Sequence, residues 1–324
     1  MPKELARPLK VGLLLPIAEE TMAGATPRWN DLKAIARLAE AGGFDSLWVA
    51  DHLIMDFTAY GIPAETRAGW WDCWSILAAL AAVTTEVELG TIVACVGFRN
   101  PALLAKMADT IDEISGGRLI LGLGAGYHEP EHRAFGYPFD HLVGRFEEAL
   151  QIIHPLLRKG AVDFHGKYHQ ATECELRPRA SRSAGPPILI GTARPDRPRM
   201  LRLCAQYAEY WNIVWANQMA DLLPALQAID AACAKTGPRS GDTAALRCYG
   251  GCTASCGAAA HHRELGAVPF PKAASNRHGG TAGRPFTNLR AKRHRSRPAV
   301  DRTVYHERNR GIFAGAGNSR LRLV

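Results

Sequence analysis

The sequence predicts an α/β fold built around a parallel β-sheet, and three observations favour this class. Short apolar segments typical of buried strands alternate with longer amphipathic segments typical of helices. A single helix between successive strands implies parallel pairing through right-handed crossovers. The strand segments are apolar along nearly their whole length, which fits a sheet with both faces covered.

Six segments are predicted as strands because each is a short, mostly apolar run bounded by glycine, proline or charged residues. The first reads KVGLLLP, the second FDSLWVA and the fifth PILIG. In chain order the six strands lie at residues 10–16, 44–50, 87–96, 118–122, 187–191 and 211–215.

Six segments are predicted as helices because their apolar residues recur at intervals of three and four. Glycine pairs follow the first and third helices, and prolines open the third and fifth, as expected at helix ends. In chain order the helices lie at residues 29–42, 73–84, 101–114, 142–159, 198–210 and 219–235.

Two architectures are compatible with these six strand–helix units. A TIM (β/α)8 barrel needs eight units in about 250 residues, and an open doubly wound sheet is the alternative. The polar segment 163–175 (DFHGKYHQATECE) interrupts the alternation and predicts a hairpin or lid at the mouth of a strand.

The composition indicates a folded chain with no membrane span. Hydrophobic residues make up 47% and charged residues 22% of the 324 residues, so a sizeable core can be buried. No apolar run approaches the roughly 18 residues that a membrane span requires. Residues 11–18 lack a small-residue cleavage site and run into two glutamates, so we expect a cytoplasmic location.

The net charge of +8 is concentrated in the last quarter of the chain. Residues 247–324 hold 15 basic and 3 acidic residues, whereas residues 1–246 hold 24 basic and 28 acidic ones. Leu, Ile, Val and Phe supply only 12 of those last 78 residues, too few for a packed core. We therefore predict one domain at residues 1–246 and a basic tail, disordered or out of frame, at 247–324.

Residues that could take part in catalysis or ligand binding follow several predicted strands, where a barrel of this kind builds its active site. Asp51 and His52 close the second strand, and a histidine there can exchange protons near neutral pH. Gly122, Gly124 and Gly126 end the fourth strand but do not form the dinucleotide fingerprint, because Glu-Pro follows rather than a helix.

The turn after the fifth strand is a candidate phosphate site. Gly191, Thr192 and Arg194 lie between that strand and the helix predicted from residue 198, and backbone N–H groups at a helix start favour an anion. Arg197 and Arg199 would add positive charge, although an ordinary solvated turn remains the alternative.

No metal site is predicted. Cys248, Cys252 and Cys256 are followed by a histidine pair, but zinc sites use tighter cysteine spacing on ordered turns. The histidines between residues 128 and 169 match no ligand spacing and are interpreted as mostly solvated. The tryptophans at 70, 71 and 74 either roof a pocket or pack in the core.

Four blocks of residues resemble the bacterial luciferase-like monooxygenase superfamily, and within it the oxidoreductases that use the deazaflavin coenzyme F420. The blocks lie at residues 42–53 (GGFDSLWVADHL), 89–139, 145–153 (RFEEALQII) and 186–213. The resemblance covers roughly residues 8–240. It implies a TIM barrel with a flavin or deazaflavin ring at the C-terminal mouth.

The resemblance also implies roles for single residues. His52 would be the proton donor or cofactor-facing histidine, with Asp51 beside it. The stretch from Ile92 through Val93 to Cys95 matches the family strand whose non-prolyl cis peptide supports the central ring of the cofactor. We place that peptide bond between Ile92 and Val93.

Further roles concern the ring edge and the phosphate. Ala125, Gly126 and Tyr127 would face the ring and the substrate. Gly191, Thr192 and Arg194 would hold the phosphate, although the family usually carries a richer glycine loop. Some relatives have a catalytic Glu where this chain has Tyr127, so that mechanism does not carry over.

The predicted function is hydride transfer between F420 and an unidentified small organic substrate, because a deazaflavin transfers hydride and does not readily activate oxygen. One alternative is an FMN-dependent luciferase-like monooxygenase. Another is a non-catalytic cofactor-binding protein, or one whose basic tail contacts nucleic acid electrostatically. A homodimer is expected if the chain folds.

The tail departs from the family pattern, which demands a seventh and an eighth strand–helix unit after Lys235. Residues 247–324 show no strand-length apolar run and no helical period. We therefore hypothesise a frameshift near codons 235–250. A barrel lacking its last units would be left open and inactive.

Overall fold

The computed structural model describes residues 10–56, 67–192, 197–213, 219–236 and 247–250. Seven parallel strands form the main sheet, and an eighth short strand pairs beside the fourth of them. The main strands are β1 (Gly12–Leu14), β2 (Ser46–Val49), β5 (Glu88–Thr91), β7 (Leu119–Gly124), β10 (Ile188–Thr192), β11 (Tyr210–Ile213) and β12 (Arg247–Gly250). The short strand is β6 (Ala94–Cys95), which pairs with β7.

Helices connect the successive strands of the sheet. They are α1 (Trp29–Ala41), α2 (Cys73–Val83), α3 (Pro101–Ile114), α4 (Glu129–Phe135), α5 (Leu142–Lys159), α6 (Pro198–Tyr207) and α7 (Met219–Thr236). The six predicted strand–helix units are confirmed, and the helix boundaries agree to within three residues. Asn100 caps α3 by accepting the N–H groups of Ala102 and Leu103, beside the proline that opens the helix.

The order of the strands decides between the two predicted architectures. The sheet runs β1-β2-β5-β7-β10-β11-β12, so each main strand lies beside the next one in the chain. A doubly wound sheet reverses its order at a switch point, whereas a (β/α)8 barrel keeps chain order throughout. The sheet therefore has the topology of a TIM barrel through its first seven strands.

The two faces of the sheet bury different apolar clusters. The large cluster lies between the sheet and the helices and includes Leu47, Leu121, Phe146 and Ile190. A small cluster on the other face contains Trp48, Ile120 and Leu189, with Val93 packed against it. An inner layer of large side chains from neighbouring strands is the filling expected inside a barrel.

Trp48 occupies the inner cluster where two glycines leave room for it. It is fully buried, and its indole N–H donates to the hydroxyl of Ser46 at 2.8 Å. A Cβ atom on Gly90 would overlap the Trp48 ring, and one on Gly12 would lie 2.9 Å from its Cδ1. Glycine at these two positions is therefore required by the tryptophan between them.

The predicted strand at 87–96 is broken. It forms β5 and β6, and a cis peptide bond joins Ile92 to Val93 between them, at the position expected from the resemblance. The prediction of one continuous strand is therefore wrong at these residues.

Two antiparallel hairpins and the short helix α4 lie outside the main sheet. The predicted hairpin is confirmed as β8 (Ala161–His165) paired with β9 (Gln170–Glu175). The hairpin of β3 (Ile54–Asp56) and β4 (Arg67–Gly69) was not predicted. The expectation that no helix follows Gly126 is wrong, because α4 begins at Glu129 and Pro130 is compatible with its first turn.

The expectation that no strand follows Lys235 is also wrong. Arg247–Gly250 pairs in parallel with Tyr210–Ile213, so the sheet extends four residues beyond the predicted domain boundary at 246. Residues 251–324, which hold the rest of the predicted tail with Cys252 and Cys256, lie outside the described residues, and the frameshift stays a hypothesis. In the described ranges no helix has both the length and the apolar character that crossing a membrane would take.

Candidate active site

The candidate site lies where β2, β6, β7 and β10 reach their C-terminal ends. Parallel strands present these ends at one edge of the sheet, so the predicted site residues that follow them are brought together. His52 lies just beyond β2, and Tyr127 just beyond β7. The Tyr127 hydroxyl is 3.2 Å from His52 Nε2, although the two residues are 75 positions apart in the chain.

Glu131 holds the other nitrogen of the His52 ring. His52 Nδ1 lies 3.0 Å from Glu131 Oε1, and the backbone N–H of Leu53 donates to Glu131 Oε2 at 3.0 Å. The side chain of Glu131 is 3% exposed and that of His52 is 13% exposed. A carboxylate oxygen accepts hydrogen bonds, so this contact suits a His52 ring that donates from Nδ1.

Aromatic side chains enclose the His52 ring. The Trp70 ring lies 5.0 Å away at a tilt of 57°, and the Tyr127 ring packs edge-on at 5.7 Å. Trp70 directly follows β4 and forms an isolated β-bridge with Ala18. The three tryptophans do not share one environment. Trp70 borders the candidate site, Trp74 is buried in the core, and Trp71 is 40% exposed.

Asp51 is engaged by a network below His52. Arg99 donates to both of its oxygens at 2.5 and 3.1 Å, and the N–H of Cys95 donates at 3.0 Å. Arg99 also donates to Asp72 at 3.1 Å. These hydrogen bonds anchor the backbone at Asp51, directly before His52. Contact of Asp51 with a cofactor stays a prediction.

The pKa of the Arg99 side chain reflects this network. Burial disfavours the charged guanidinium, but the charge of Asp51 and its hydrogen bonds outweigh that effect and raise the pKa of Arg99. The side chains of Arg99 and Asp51 are 12% and 1% exposed. A buried ion pair of this kind fixes the ends of β2 and β6 relative to each other.

Glycines surround the Val93 side chain at the cis peptide. A Cβ atom on Gly124 would lie 2.7 Å from Val93 Cγ2, and one on Gly191 would lie 3.0 Å from Val93 Cγ1. Only glycine leaves room for Val93 there, so the structure brings the predicted residues Val93 and Gly191 into direct proximity. Ile92 packs beside Val93 against the inner cluster.

Cys95 lies beside the backbone of Gly126 and the ring of His132. Its Sγ is 3.8 Å from His132 Nε2, and a Cβ on Gly126, whose φ is +84°, would lie 2.7 Å from that sulfur. His132 Nδ1 lies 3.1 Å from the carbonyl oxygen of His128, so Nδ1 donates and Nε2 can accept the thiol proton. Ala125, half-buried, packs against the main core.

We expect Cys95 to resist alkylation in the folded protein. Burial, with the charge of Asp51, raises the pKa of its thiol from 9.0 to about 12, so the reactive thiolate is absent at pH 8. Iodoacetamide labelling followed by peptide mass mapping should modify the half-buried Cys174 and spare Cys95 until urea is added. Equal labelling of both cysteines in the native state would contradict this expectation.

The raised pKa of Cys95 makes the stability of the fold depend on pH at alkaline values. The folded state keeps the Cys95 proton more tightly than the unfolded chain, so this contribution to stability is complete below pH 9.0 and is lost as the pH rises toward 12.

The predicted phosphate site is only partly described. Thr192 is 3% exposed, and its hydroxyl accepts the indole N–H of Trp211 at 2.9 Å. Arg194 lies outside the described residues. The expectation that Arg199 adds charge to this site is not supported, because it pairs with Glu147 on α5 at 2.6 Å.

The interpretation of the histidines after β7 as mostly solvated is wrong for two of them. His128 and His132 are 2% and 0% exposed. They lie on either side of Glu131, His128 at the cap of α4 and His132 within it, and α4 is the helix that was not predicted. His132 lies against Cys95, and α4 packs against β3. Glu131 and His132 follow His128 by three and four residues, and this helical spacing is the signal in the sequence that could have indicated the buried face of α4.

The match to known sequences now identifies the family. The family model for luciferase-like monooxygenases matches residues 9–311. The chain belongs to the luciferase-like monooxygenase family. This family match extends beyond residue 246 into the segment predicted to be a basic tail, disordered or out of frame.

One relative of this luciferase-like protein is a pyrimidine monooxygenase. The pyrimidine monooxygenase RutA of Stutzerimonas stutzeri is 30% identical over 243 residues, which is 71% of this chain. The matched region spans 64% of the length of that relative, so its whole activity is not transferred to this chain.

Two solved structures share the fold of this family member. The coenzyme F420-dependent tetrahydromethanopterin reductase of Methanopyrus kandleri has a TM-score of 0.57 at 22% identity and covers 74% of this chain and 66% of its own. The type II Baeyer–Villiger monooxygenase of Pseudomonas putida, in complex with FMN, has a TM-score of 0.57 at 20% identity, covering 71% and 64%. The predicted luciferase-like TIM-barrel fold is confirmed.

Proposed function

We propose that this luciferase-like oxidoreductase transfers a hydride between the deazaflavin F420 and a small organic substrate, with His52 exchanging the accompanying proton. The observation that carries the proposal is the arrangement of His52. Its Nε2 lies 3.2 Å from the Tyr127 hydroxyl, and Glu131 holds its Nδ1. An oriented imidazole at the mouth of a barrel is suited to general acid–base chemistry near neutral pH.

Small residues around the cis peptide support a planar ring placed against Val93. Gly124 and Gly191 carry no side chain that could cover Val93, and Gly126 adds a third small residue at the same edge. Val93, Ala125 and Gly126 would hold the ring, and Gly191 and Thr192 would lie toward its phosphate. The bound deazaflavin would supply a carbon atom that accepts or donates hydride.

The residues of this chain would then manage the proton and the water. His52 would take a proton from a substrate hydroxyl, or return one, at Nε2. Glu131 would stabilise the imidazolium that results, and Asp51 with Arg99 would keep the strand end in place. Trp70 and Tyr127 would shield the reacting atoms from solvent.

FMN-dependent monooxygenation is the second candidate. The 30% identity to the pyrimidine monooxygenase RutA and the FMN-bound fold relative favour it. The same His52 could serve either reaction, because both need a proton donor beside the ring. Binding of a cofactor without catalysis is the third candidate, and the expected cytoplasmic location and homodimer also stay predictions.

Direct binding measurements with the two cofactors separate these candidates. We expect the full chain to bind F420 at least about tenfold more tightly than FMN in equilibrium dialysis, a difference of about 1.4 kcal/mol. Dialysis with each oxidised cofactor alone needs no knowledge of the substrate. Tighter binding of FMN, together with oxygen consumption by the reduced complex, would contradict the deazaflavin proposal and favour the monooxygenase.

A further inference from the structure

We infer that Glu131 is a positioning residue that fixes His52 in the tautomer with the proton on Nδ1. The tautomer follows from the hydrogen bonds alone. Only its consequence for turnover rests on the proposed function. Glu131 was not among the residues that the sequence pointed to.

The two oxygens of Glu131 meet two donors. Oε2 accepts the backbone N–H of Leu53 at 3.0 Å and lies 3.3 Å from His52 Nδ1, whereas Oε1 is nearer to Nδ1, at 3.0 Å. Glu131 itself is 2% exposed, so water does not compete for these contacts. A buried carboxylate that meets two donors satisfies both of them, which leaves His52 no role at Nδ1 other than donor.

The backbone donor makes this arrangement specific for a carboxylate. The N–H of Leu53 cannot rotate or change its proton, so it always needs an acceptor. A glutamine at position 131 has one acceptor oxygen and one NH2 group. If its oxygen takes the place of Oε2 beside Leu53, its NH2 group takes the place of Oε1, the atom nearer to His52 Nδ1, and favours that nitrogen as an acceptor.

The tautomer decides what His52 can do on its other side. With Nδ1 protonated, Nε2 carries a lone pair, accepts the Tyr127 hydroxyl at 3.2 Å and can take a substrate proton. With the opposite tautomer, Nε2 would already carry a proton and could not act as a base. Glu131 therefore keeps His52 Nε2 able to accept a proton.

Nitrogen-15 NMR of histidine-labelled full-length protein reads the tautomer directly. We expect His52, assigned through the His52→Gln variant, to show a protonated Nδ1 and a bare Nε2 at neutral pH. The Glu131→Gln variant should show the reverse. Glu129→Gln, an exposed change in the same helix, and Tyr127→Phe should both keep the wild-type pattern.

Each outcome of this experiment decides the inference. A protonated Nε2 in the wild-type protein overturns it, even if Glu131→Gln does not fold, and so does a Glu131→Gln spectrum that keeps Nδ1 protonated. The expected reversal, with kcat lowered about 100-fold and a smaller change in KM, supports both the inference and the proposed function. A reversal with unchanged turnover supports the role of Glu131 and contradicts the proton-exchange role of His52.

Discussion

Replacement of His52 by alanine is expected to lower kcat by about 1,000-fold, within the range typical of a lost general acid or base. The Nε2 atom of this titratable side chain lies 3.2 Å from the Tyr127 hydroxyl at the barrel mouth. Affinity for the cofactor should change little, because the residues proposed to hold the ring lie on other strands. Single-turnover kinetics of hydride transfer would measure the loss.

The control for this substitution is His165→Ala. His165 lies in the β8–β9 hairpin with a side chain 61% exposed, so its removal should leave kcat within about twofold, as is usual for a surface change. Retained turnover in His52→Ala would show that the proton comes from another group. Loss of cofactor binding in the same variant would instead assign His52 to binding.

Replacement of Arg99 by methionine is expected to lower the free energy of unfolding by about 3–5 kcal/mol. The substitution keeps an apolar chain of similar length but leaves the Asp51 carboxylate, 1% exposed, without its two guanidinium hydrogen bonds. The cost comes from an uncompensated buried charge. Urea unfolding of both proteins at the same pH would measure it.

Two further variants test this cause. Arg202→Met removes one of the two arginine partners of Glu147 and leaves Arg199 in place, so it should cost less than about 1 kcal/mol. Adding Asp51→Asn to Arg99→Met should restore part of the lost stability, because the charge is then gone. If the double variant is no more stable than the single one, the ion pair is not the source of the loss.

Local patterns in the sequence predicted the elements but not the pairs of residues that form the site. The helix Pro101–Ile114 has a proline at its start, a regular apolar period and a glycine pair at its end, and its bounds agree with the prediction. Each of these signals lies within a few residues of the feature it marks.

The missed features depend on residues far apart in the chain. Glu131 contacts His52 across 79 positions and Arg99 contacts Asp51 across 48, and no local period reports such contacts. The strand Arg247–Gly250 has neither an alternating nor an apolar pattern, and its place is set by pairing with the neighbouring strand β11. The cis peptide was located through resemblance and not through physical reasoning from Ile92 and Val93 themselves.

The tight fit of Trp48 between two glycines has a consequence for how this family member can vary. The indole, Gly12 and Gly90 occupy one shared volume, since a methyl group at either glycine would meet the ring. Substitutions at the three positions are therefore interdependent, and their effects on stability should not add. An evolutionary path that enlarges either glycine has to reduce the tryptophan first, so the order of the mutations is constrained as well as their identity.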